Sequence, residues 1–265
     1  GVFDSGLGGL TVARAIRRTL PHEQLVYLGD TARVPYGTRS PATIVRYARA
    51  CGRKLAQHDI KLLVVACNTV SAVALDMLRI ELDVPVLGVI EPGARAGAAA
   101  SKTGRVGVIA TSGTVASGAY ERALSAVDTR IEPLVRAAPL LVPLAEEGWT
   151  DGDVPALVVA RYIEPLAASS IDSIVLGCTH YPLLAPVIRE VAQRVIGPDV
   201  AVVDSADATA IELAQILEDR GLLRETSREG TLRLLVTDRP RLFAEVASRF
   251  LGEEVEGLAV EQIDL

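Results

Sequence analysis

The sequence has no long hydrophobic run, few aromatic residues, and only three cysteines and three lysines. The longest uninterrupted apolar stretches, such as 62–67, fall far short of the roughly 20 residues that a membrane-spanning helix needs, so we expect no membrane span. No basic segment followed by an apolar one opens the sequence, and we therefore expect a cytoplasmic protein. The odd cysteine count then argues against a disulfide framework and for reduced thiols.

The charge balance argues against a nucleic-acid-binding protein. The 33 acidic residues outnumber the 27 basic ones, which gives a formal net charge of -6 at pH 7, and aromatic residues make up only 4%. Proteins that hold phosphate backbones usually carry a basic stripe, and single strands are bound by stacking on aromatic rings. We therefore expect no direct contact with nucleic acid.

Short runs of β-branched residues and leucine alternate with segments of helical periodicity along the whole chain. A Ser40-Pro41 start signal followed by apolar residues at helical spacing, from Ile44 to Leu55, predicts one such helix. Nine strands are predicted, at 2–3, 25–28, 62–66, 86–90, 105–110, 131–135, 174–177, 201–203 and 232–236. Continuous apolar strands between helices are typical of a parallel sheet covered on both faces, so the predicted fold class is α/β.

A weak internal repeat divides the chain in two. Segment 2–6 resembles 109–113, at an offset of 107 residues, and 65–69 resembles 176–180, at an offset of 111. Chance similarity of short strand ends is the alternative to two related halves. With crossings near 91–93 and 201–207, the repeat predicts a discontinuous first domain, 1–92 plus 207–265, and a second domain, 93–206. A cleft between the halves would close a site off from water.

Four predicted strand ends carry the polar side chains of a candidate site. Ligands of open α/β sheets bind beyond the carboxyl ends of the strands, where helix N-termini present their N–H groups. A carboxylate, two thiols, an imidazole and several hydroxyls occupy these ends, at 4–6, 67–69, 111–114 and 178–180. A nucleotide site is not indicated, because neither a complete G-x-G-x-x-G nor a Walker A sequence is present.

Cys67 and Cys178 are the most informative of these residues. Each follows an apolar strand and precedes a polar pair at a predicted helix start, where the pKa of a thiol is lowered. Buried, inert thiols are the simpler alternative, and Cys51, on the apolar stripe of a helix, is assigned to that class. A zinc site of Cys67, Cys178 and His180 is a further option, although residues 178 and 180 are closely spaced and no C-x-x-C is present.

Two strand-end thiols also suit the inversion of a stereocentre. A base on one face of a carbon removes its proton, and an acid on the opposite face delivers another. Pyridoxal phosphate would need a Schiff-base lysine. Lys54 lies in a predicted helix interior, Lys61 before a strand and Lys102 in an alanine-rich helical stretch, so none of the lysines is at a strand end. The residues therefore favour a mechanism without a cofactor.

Two further side chains stand next to the candidate bases. His180 could exchange a proton with Cys178 or with substrate, and Asp4 could orient a thiol, receive a substrate ammonium group or simply cap a helix. Glu146 and Glu147 fall in a loop-like stretch where solvation is the simplest expectation, although one of them could reach a cleft.

Taken together, these motifs resemble the glutamate racemases of the aspartate/glutamate racemase superfamily. The resemblance follows family order over essentially the whole chain and is carried by GVFDSGLGGLTV (1–12), PYG (35–37), VACNTVSA (65–72), TSGTVASGAY (111–120) and LGCTHYPLL (176–184). It implies two pseudosymmetric α/β domains with the active site in the cleft between them. It also implies cofactor-independent, two-base interconversion of L- and D-glutamate, which supplies D-glutamate for peptidoglycan.

The resemblance further implies residue roles and partners. Cys67 corresponds to the thiol acting on D-glutamate and Cys178 to the one acting on L-glutamate, with Asp4 and His180 as auxiliary acid–base groups. Substrate contacts carry over to Asp4, Ser5, Tyr36, Gly37, Asn68, Thr69, Thr111, Thr114, Thr179, His180 and, in PLAEEG beside Glu147, Glu146. We expect no metal and no cofactor, and a homodimer; some family members are associated with DNA gyrase.

Three other functions stay open from the sequence. An aspartate racemase would share the mechanism and differ in the shape of the substrate pocket. A regulatory binding protein would have a vestigial catalytic site, against which the retention of both thiols, Asp4 and His180 argues. A zinc hydrolase would contain stoichiometric metal and would be sensitive to chelators.

Overall fold

The computed structural model describes residues 1–252 and 259–265. In chain order its strands are β1 (Val2–Asp4), β2 (Leu25–Gly29), β3 (Leu63–Val65), β4 (Val86–Gly88), β5 (Arg105–Ala110), β6 (Glu132–Ala137), β7 (Ser173–Gly177), β8 (Ala201–Asp204), β9 (Leu232–Val236) and β10 (Val260–Gln262). Its α-helices are α1 (Leu10–Thr19), α2 (Pro41–Ala56), α3 (Asn68–Glu81), α4 (Ile90–Ala100), α5 (Ser112–Ala116), α6 (Ala119–Val127), α7 (Leu141–Glu147), α8 (Asp153–Ala167), α9 (Ala185–Val195), α10 (Ser205–Asp219) and α11 (Pro240–Leu251).

The chain divides into two compact units. The first unit comprises Gly1–Val89 and Ala206–Leu265, and the second comprises Ile90–Ser205. Both are α/β units with fully parallel sheets, as the alternation of apolar strands and helices predicts.

The sheet of the first unit has six strands in the order β10-β9-β2-β1-β3-β4. Helices α2 and α3 pack against each other, as do α1 and α11. Helix α2 begins after Ser40, whose side chain accepts a hydrogen bond from the Thr43 amide, with Pro41 at its first position. Its apolar stripe, from Ile44 to Leu55, is buried in the core against the sheet, so the predicted helix is confirmed.

The sheet of the second unit has four strands in the order β6-β5-β7-β8. Helix α4 packs against α6, and α8 packs against α9. One core cluster of this unit joins Ile109 of β5 and Leu176 of β7 to Ile163 of α8 and Ile188 of α9, all fully buried.

The two units share one arrangement of their first four strands, β2-β1-β3-β4 and β6-β5-β7-β8. In each unit the second strand of the chain pairs with one edge of the first, and the third strand pairs with its opposite edge. The fourth strand then adds beside the third. The order therefore reverses between β1 and β3, and between β5 and β7. Ligands of open parallel sheets bind beyond the carboxyl ends of the strands at such switch points.

All nine predicted strands are present, with differences at their ends. Strand β4 ends at Gly88 and α4 begins at Ile90, so residues 91–93 form part of the first turn of α4. Pro92 is tolerated there, because the first turn of a helix needs no amide donor. Lys102 follows α4 and lies outside it, which corrects its predicted helical placement. In the described ranges, no helix combines the length and apolarity of a membrane span.

Candidate active site

The first group of candidate residues lies at the carboxyl ends of β1 and β3. Asp4 is the last residue of β1 and is fully buried. Cys67, two residues beyond β3, is the N-cap residue of α3, and its Sγ donates to Ser5 Oγ across 3.5 Å. Asn68 and Thr69 form the buried first turn of α3. The first switch point thus holds a carboxylate, a thiol, a carboxamide and two hydroxyls.

Asp4 is fixed by the backbone around it. Its Oδ2 accepts from the Gly6 amide at 2.8 Å, and its carbonyl accepts from the Asp30 amide at 3.1 Å. A Cβ on Gly9 would fall 2.4 Å from the Cβ of Asp4, so only glycine permits this approach. Because Gly9 itself is the N-cap residue of α1, the helix-cap alternative for Asp4 is wrong.

The second group lies at the carboxyl end of β7 and includes a carboxylate from α7. Cys178 directly follows β7, and its Sγ is 3.8 Å from Nδ1 of His180. The other ring nitrogen of His180, Nε2, is 3.1 Å from Oε1 of Glu146. His180 is 8% exposed, whereas the side chain of Glu146, in the last turn of α7, is 44% exposed. A buried imidazole thus connects the thiol to a carboxylate that reaches solvent.

The environment of His180 favours its protonated form. Burial acts to lower its pKa, but hydrogen bonds to Cys178 and Glu146 and the negative charge of these partners outweigh burial and raise the pKa to about 10. This direction favours the imidazolium, in which each ring nitrogen carries an N–H that can be donated to one of the two partners. Such a group can pass a proton to the neighbouring sulfur.

Three threonines complete the second group. Thr111 caps α5, where its Oγ1 accepts from the Thr114 amide at 3.4 Å and lies 3.0 Å from Oγ1 of Thr114. Thr179 is buried directly after Cys178. Because Ala110 and Gly177 are partners in the register of β5 and β7, all these residues meet at the second switch point.

Two expectations at this site need correction. Cys178 does not lie at the start of an α-helix: a 3₁₀ turn, Tyr181–Leu184, follows it, and α9 begins only at Ala185. Pro186 explains the delay, because a proline inside an α-helix clashes with the carbonyl four residues earlier and is accepted only in the first turn. Glu146 is not simply solvated, since it pairs with His180, whereas its neighbour Glu147 is exposed.

Tyr36 and Gly37 lie in the connection from β2 to α2. The ring of Tyr36 is 1% exposed and packs 5.5 Å from the ring of Tyr47, and its hydroxyl donates to the carboxylate of Asp30. Gly37 is half-buried. The phenol is therefore occupied, and a ligand contact at these two positions would have to use the main chain.

Asp30 is the site-related residue that the sequence reasoning missed. It follows β2 directly, as Asp4 ends β1, and that placement was the available signal. Within the described ranges, no three His, Cys, Asp or Glu side chains are grouped so that they could hold a metal ion.

Comparison with known proteins identifies the family. A family model described as Asp/Glu/Hydantoin racemase matches residues 10–213. The chain belongs to this racemase family.

Full-length relatives narrow the assignment within the family. The racemase is 53% identical to the glutamate racemase of Geobacter metallireducens over 252 residues. This alignment covers 95% of this chain and 92% of the relative. It matches the solved glutamate racemase isoform RacE1 of Bacillus anthracis with a TM-score of 0.93 and 41% identity, over 100% of this chain and 97% of the other.

A further solved relative carries a substrate. The glutamate racemase of Francisella tularensis, solved in complex with D-glutamate, matches with a TM-score of 0.88 and 35% identity, over 100% of this chain and 96% of that one. These matches place the chain among the glutamate racemases, which are isomerases.

Proposed function

We propose that this racemase interconverts L- and D-glutamate without a cofactor, with Cys67 and Cys178 as the two bases. The observation that carries the proposal is the repetition of one arrangement: each unit has a single thiol just beyond a strand at its switch point. Each thiol has a polar partner, Ser5 for Cys67 and His180 for Cys178. The D-glutamate bound to a full-length relative supports the choice of substrate.

The proposed reaction moves one proton off the α-carbon and another onto its opposite face. With D-glutamate, the Cys67 thiolate takes the α-proton, and the electron pair of the broken C–H bond passes into the α-carboxylate. The Cys178 thiol then gives its proton to the other face, forming the new C–H bond of L-glutamate. L-glutamate follows the same steps with the thiol roles exchanged, so no oxidant or reductant is consumed.

The remaining polar residues of the site would assist removal of the α-proton and stabilise the negative charge that develops. The α-proton of an amino acid is far less acidic than a thiol, so the developing negative charge needs preorganised donors. We assign that role, together with substrate binding, to the hydroxyls, amides and main-chain groups of Ser5, Tyr36, Gly37, Asn68, Thr69, Thr111, Thr114 and Thr179. We assign proton exchange with Cys178 to His180, held by Glu146, and orientation of the substrate ammonium or of Cys67 to Asp4.

The cellular role and partners are proposed from the family resemblance alone. D-glutamate made by this racemase would enter peptidoglycan synthesis in the cytoplasm. The racemase would act as a homodimer, and an association with DNA gyrase, attributed to some family members, is a second role compatible with catalysis.

Circular dichroism of glutamate incubated with the protein tests the proposal. The protein is first treated with a chelator and a carbonyl scavenger, so that metal and pyridoxal phosphate are removed. We expect the signal of D-glutamate to decay to zero and that of D-aspartate to persist. Decay of aspartate alone would change the substrate, and no decay of either by folded protein with titratable thiols would refute the proposed activity.

Deuterium labelling tests the two-base step separately. In D2O, a two-base racemase places deuterium in the product from the first turnover, while the remaining substrate keeps its α-proton. Early deuterium in the unreacted enantiomer, detected by proton NMR, would instead indicate a single exchanging base.

A further inference from the structure

We infer that Asp30 is a positioning residue of this racemase, whose carboxylate fixes the 35–37 segment in its substrate-binding conformation. The inference rests on the proposed function, which gives Tyr36 and Gly37 a role in binding substrate. Asp30 directly follows β2 and is completely buried. A buried carboxylate is costly unless donors surround it, so its partners show what it holds in place.

Three donors meet at this carboxylate, two from the connection that follows β2 and one from the end of β9. The phenol of Tyr36 donates to Oδ2, and Nε of Arg33 lies 2.7 Å from the same oxygen. Thr237, directly after β9, donates from Oγ1 to Oδ1 at 2.9 Å. The Asp30 amide donates to the carbonyl of Asp4. Asp30 therefore ties the connection that contains Tyr36 to the ends of both β1 and β9.

The neighbouring contacts extend the same attachment. Oγ1 of Thr237 also accepts from the Ala32 amide at 2.9 Å, and Thr31 exchanges two hydrogen bonds with the main chain of Asp238, at 2.6 and 2.8 Å. The guanidinium of Arg33 lies 4.4 Å from the ring centroid of Tyr47, against which Tyr36 packs. Arg33 thus supplies the positive charge for Asp30 and packs on Tyr47, the ring that Tyr36 contacts.

The contacts of Asp30 with Tyr36 should affect substrate binding. Tyr36 presents no free phenol, so its part in binding depends on where its main chain and that of Gly37 are held. The side-chain anchor for that main chain is the hydrogen bond to Asp30 together with the tilted ring contact with Tyr47. Removing the anchor should weaken substrate binding while leaving the thiol chemistry intact, which appears as a raised KM at nearly constant kcat.

Steady-state kinetics of Asp30→Ala in both directions tests the inference. We expect KM for both enantiomers to rise about tenfold or more, because losing a buried hydrogen bond to a charged group costs about 1.5–3 kcal/mol, and kcat to change by less than about threefold. Asp30→Asn keeps an oxygen that can accept from Tyr36 and should recover most of the lost affinity. Wild-type KM in folded Asp30→Ala would overturn the inference.

Glu23 provides the matched control at the other end of β2. It is a buried carboxylate of the same unit, and it accepts from Lys61 Nζ at 2.7 Å and from the Arg224 amide at 2.8 Å. Glu23→Ala should lower the thermal midpoint as Asp30→Ala does but leave KM unchanged. An equal rise of KM in Glu23→Ala would show that Asp30 acts only through general stability.

Tyr36→Phe tests the same hydrogen bond from its donor side. If Asp30→Ala does not fold, Tyr36→Phe removes the same hydrogen bond with little loss of packing, and we expect it to raise KM about threefold or more at constant kcat. Unchanged KM in Tyr36→Phe and Asp30→Asn would then refute the inference. Wild-type protein inactive on glutamate would refute the proposed function itself, and an active wild type with unaffected Asp30 variants would refute only this inference.

Discussion

Nε2 of His180 lies 3.1 Å from Oε1 of Glu146, a carboxylate 34 residues earlier in the chain. The pairing joins the last turn of α7 to the end of β7 within one unit. Because the opposite ring nitrogen faces Cys178, the imidazole connects the carboxylate to the thiol. Under the proposed mechanism we expect Glu146 to act as a positioning residue, and its removal should change the pH dependence of the reaction.

Glu146→Gln should move the alkaline limb of the pH–rate profile to lower pH. The carboxylate is one of the two partners that raise the pKa of His180 to about 10, so without it the imidazolium loses its proton at lower pH. We expect kcat/KM near pH 9 to fall about tenfold relative to wild type. Glu147→Gln, at the exposed neighbouring position, is the control and should leave the profile in place.

His180 should also make the stability of the protein pH-dependent. Its pKa is about 10 in the folded protein and about 6.5 when unfolded. Protonation therefore stabilises the fold fully below about pH 6.5, and this contribution is lost as the pH rises through about 10. Denaturant unfolding of wild type and His180→Asn should show a difference of a few kcal/mol at pH 6.5 that shrinks towards pH 10. A constant difference would contradict the raised pKa.

The three cysteines should separate cleanly by mutation. Cys67→Ala and Cys178→Ala should each abolish racemisation, because each removes one of the two proposed bases. Cys51→Ala should keep wild-type turnover and cost about 1 kcal/mol of stability. Burial, with the nearby charge of Asp30, raises the pKa of the Cys51 thiol far above its ordinary value, so this residue should also resist alkylation. Turnover lost in folded Cys51→Ala would contradict this assignment.

Gly9→Ala should damage both the fold and the site of the first unit. The added Cβ would lie 2.4 Å from Cβ of Asp4 and 3.0 Å from Cβ of Ala66, so the residue at the end of β1 has to shift. Overpacking of this kind costs about 1–3 kcal/mol, and the displaced Asp4 should lower kcat/KM. Gly52→Ala, in α2, is the control.

The control differs because its added Cβ would meet only the flexible ends of leucine side chains, Leu78 at 2.9 Å, Leu82 at 3.3 Å and Leu63 at 4.0 Å. Alanine also favours the helix, so Gly52→Ala should have a melting temperature close to that of wild type and full activity. Equal losses from the two alanines would show that the effect at Gly9 is not specific to Asp4.

The regular part of the fold could be predicted from the sequence because buried parallel strands are continuously apolar. Strand β10 could not: two of its three residues, Glu261 and Gln262, are exposed and polar, and only its pairing with β9 makes it a strand. The sequence places the end of β4 at residue 90 instead of Gly88, because the apolar pair Val89-Ile90 continues the strand composition into α4. Apolar composition indicates that residues are buried, and the residues on both sides of this boundary are buried.

The candidate site could be predicted as far as single strand ends. Periodicity located the ends that carry Cys67 and Cys178, since each follows an apolar run directly. It could not identify the contacts between Glu146 and His180 or between Asp30 and Tyr36, which depend on tertiary packing of loops and short helices. An aspartate or glutamate in such a loop has the same composition whether it is solvated or holds another side chain.

The two units share a strand order but give their thiols different partners, a hydroxyl for Cys67 and an imidazole for Cys178. Thermodynamics limits what this difference can do. Enantiomers have equal free energies in water, so the equilibrium constant of a racemase is unity and kcat/KM must be the same in both directions. The unequal partners can therefore change kcat and KM for one enantiomer relative to the other only by the same factor, so that kcat/KM stays equal for L- and D-glutamate.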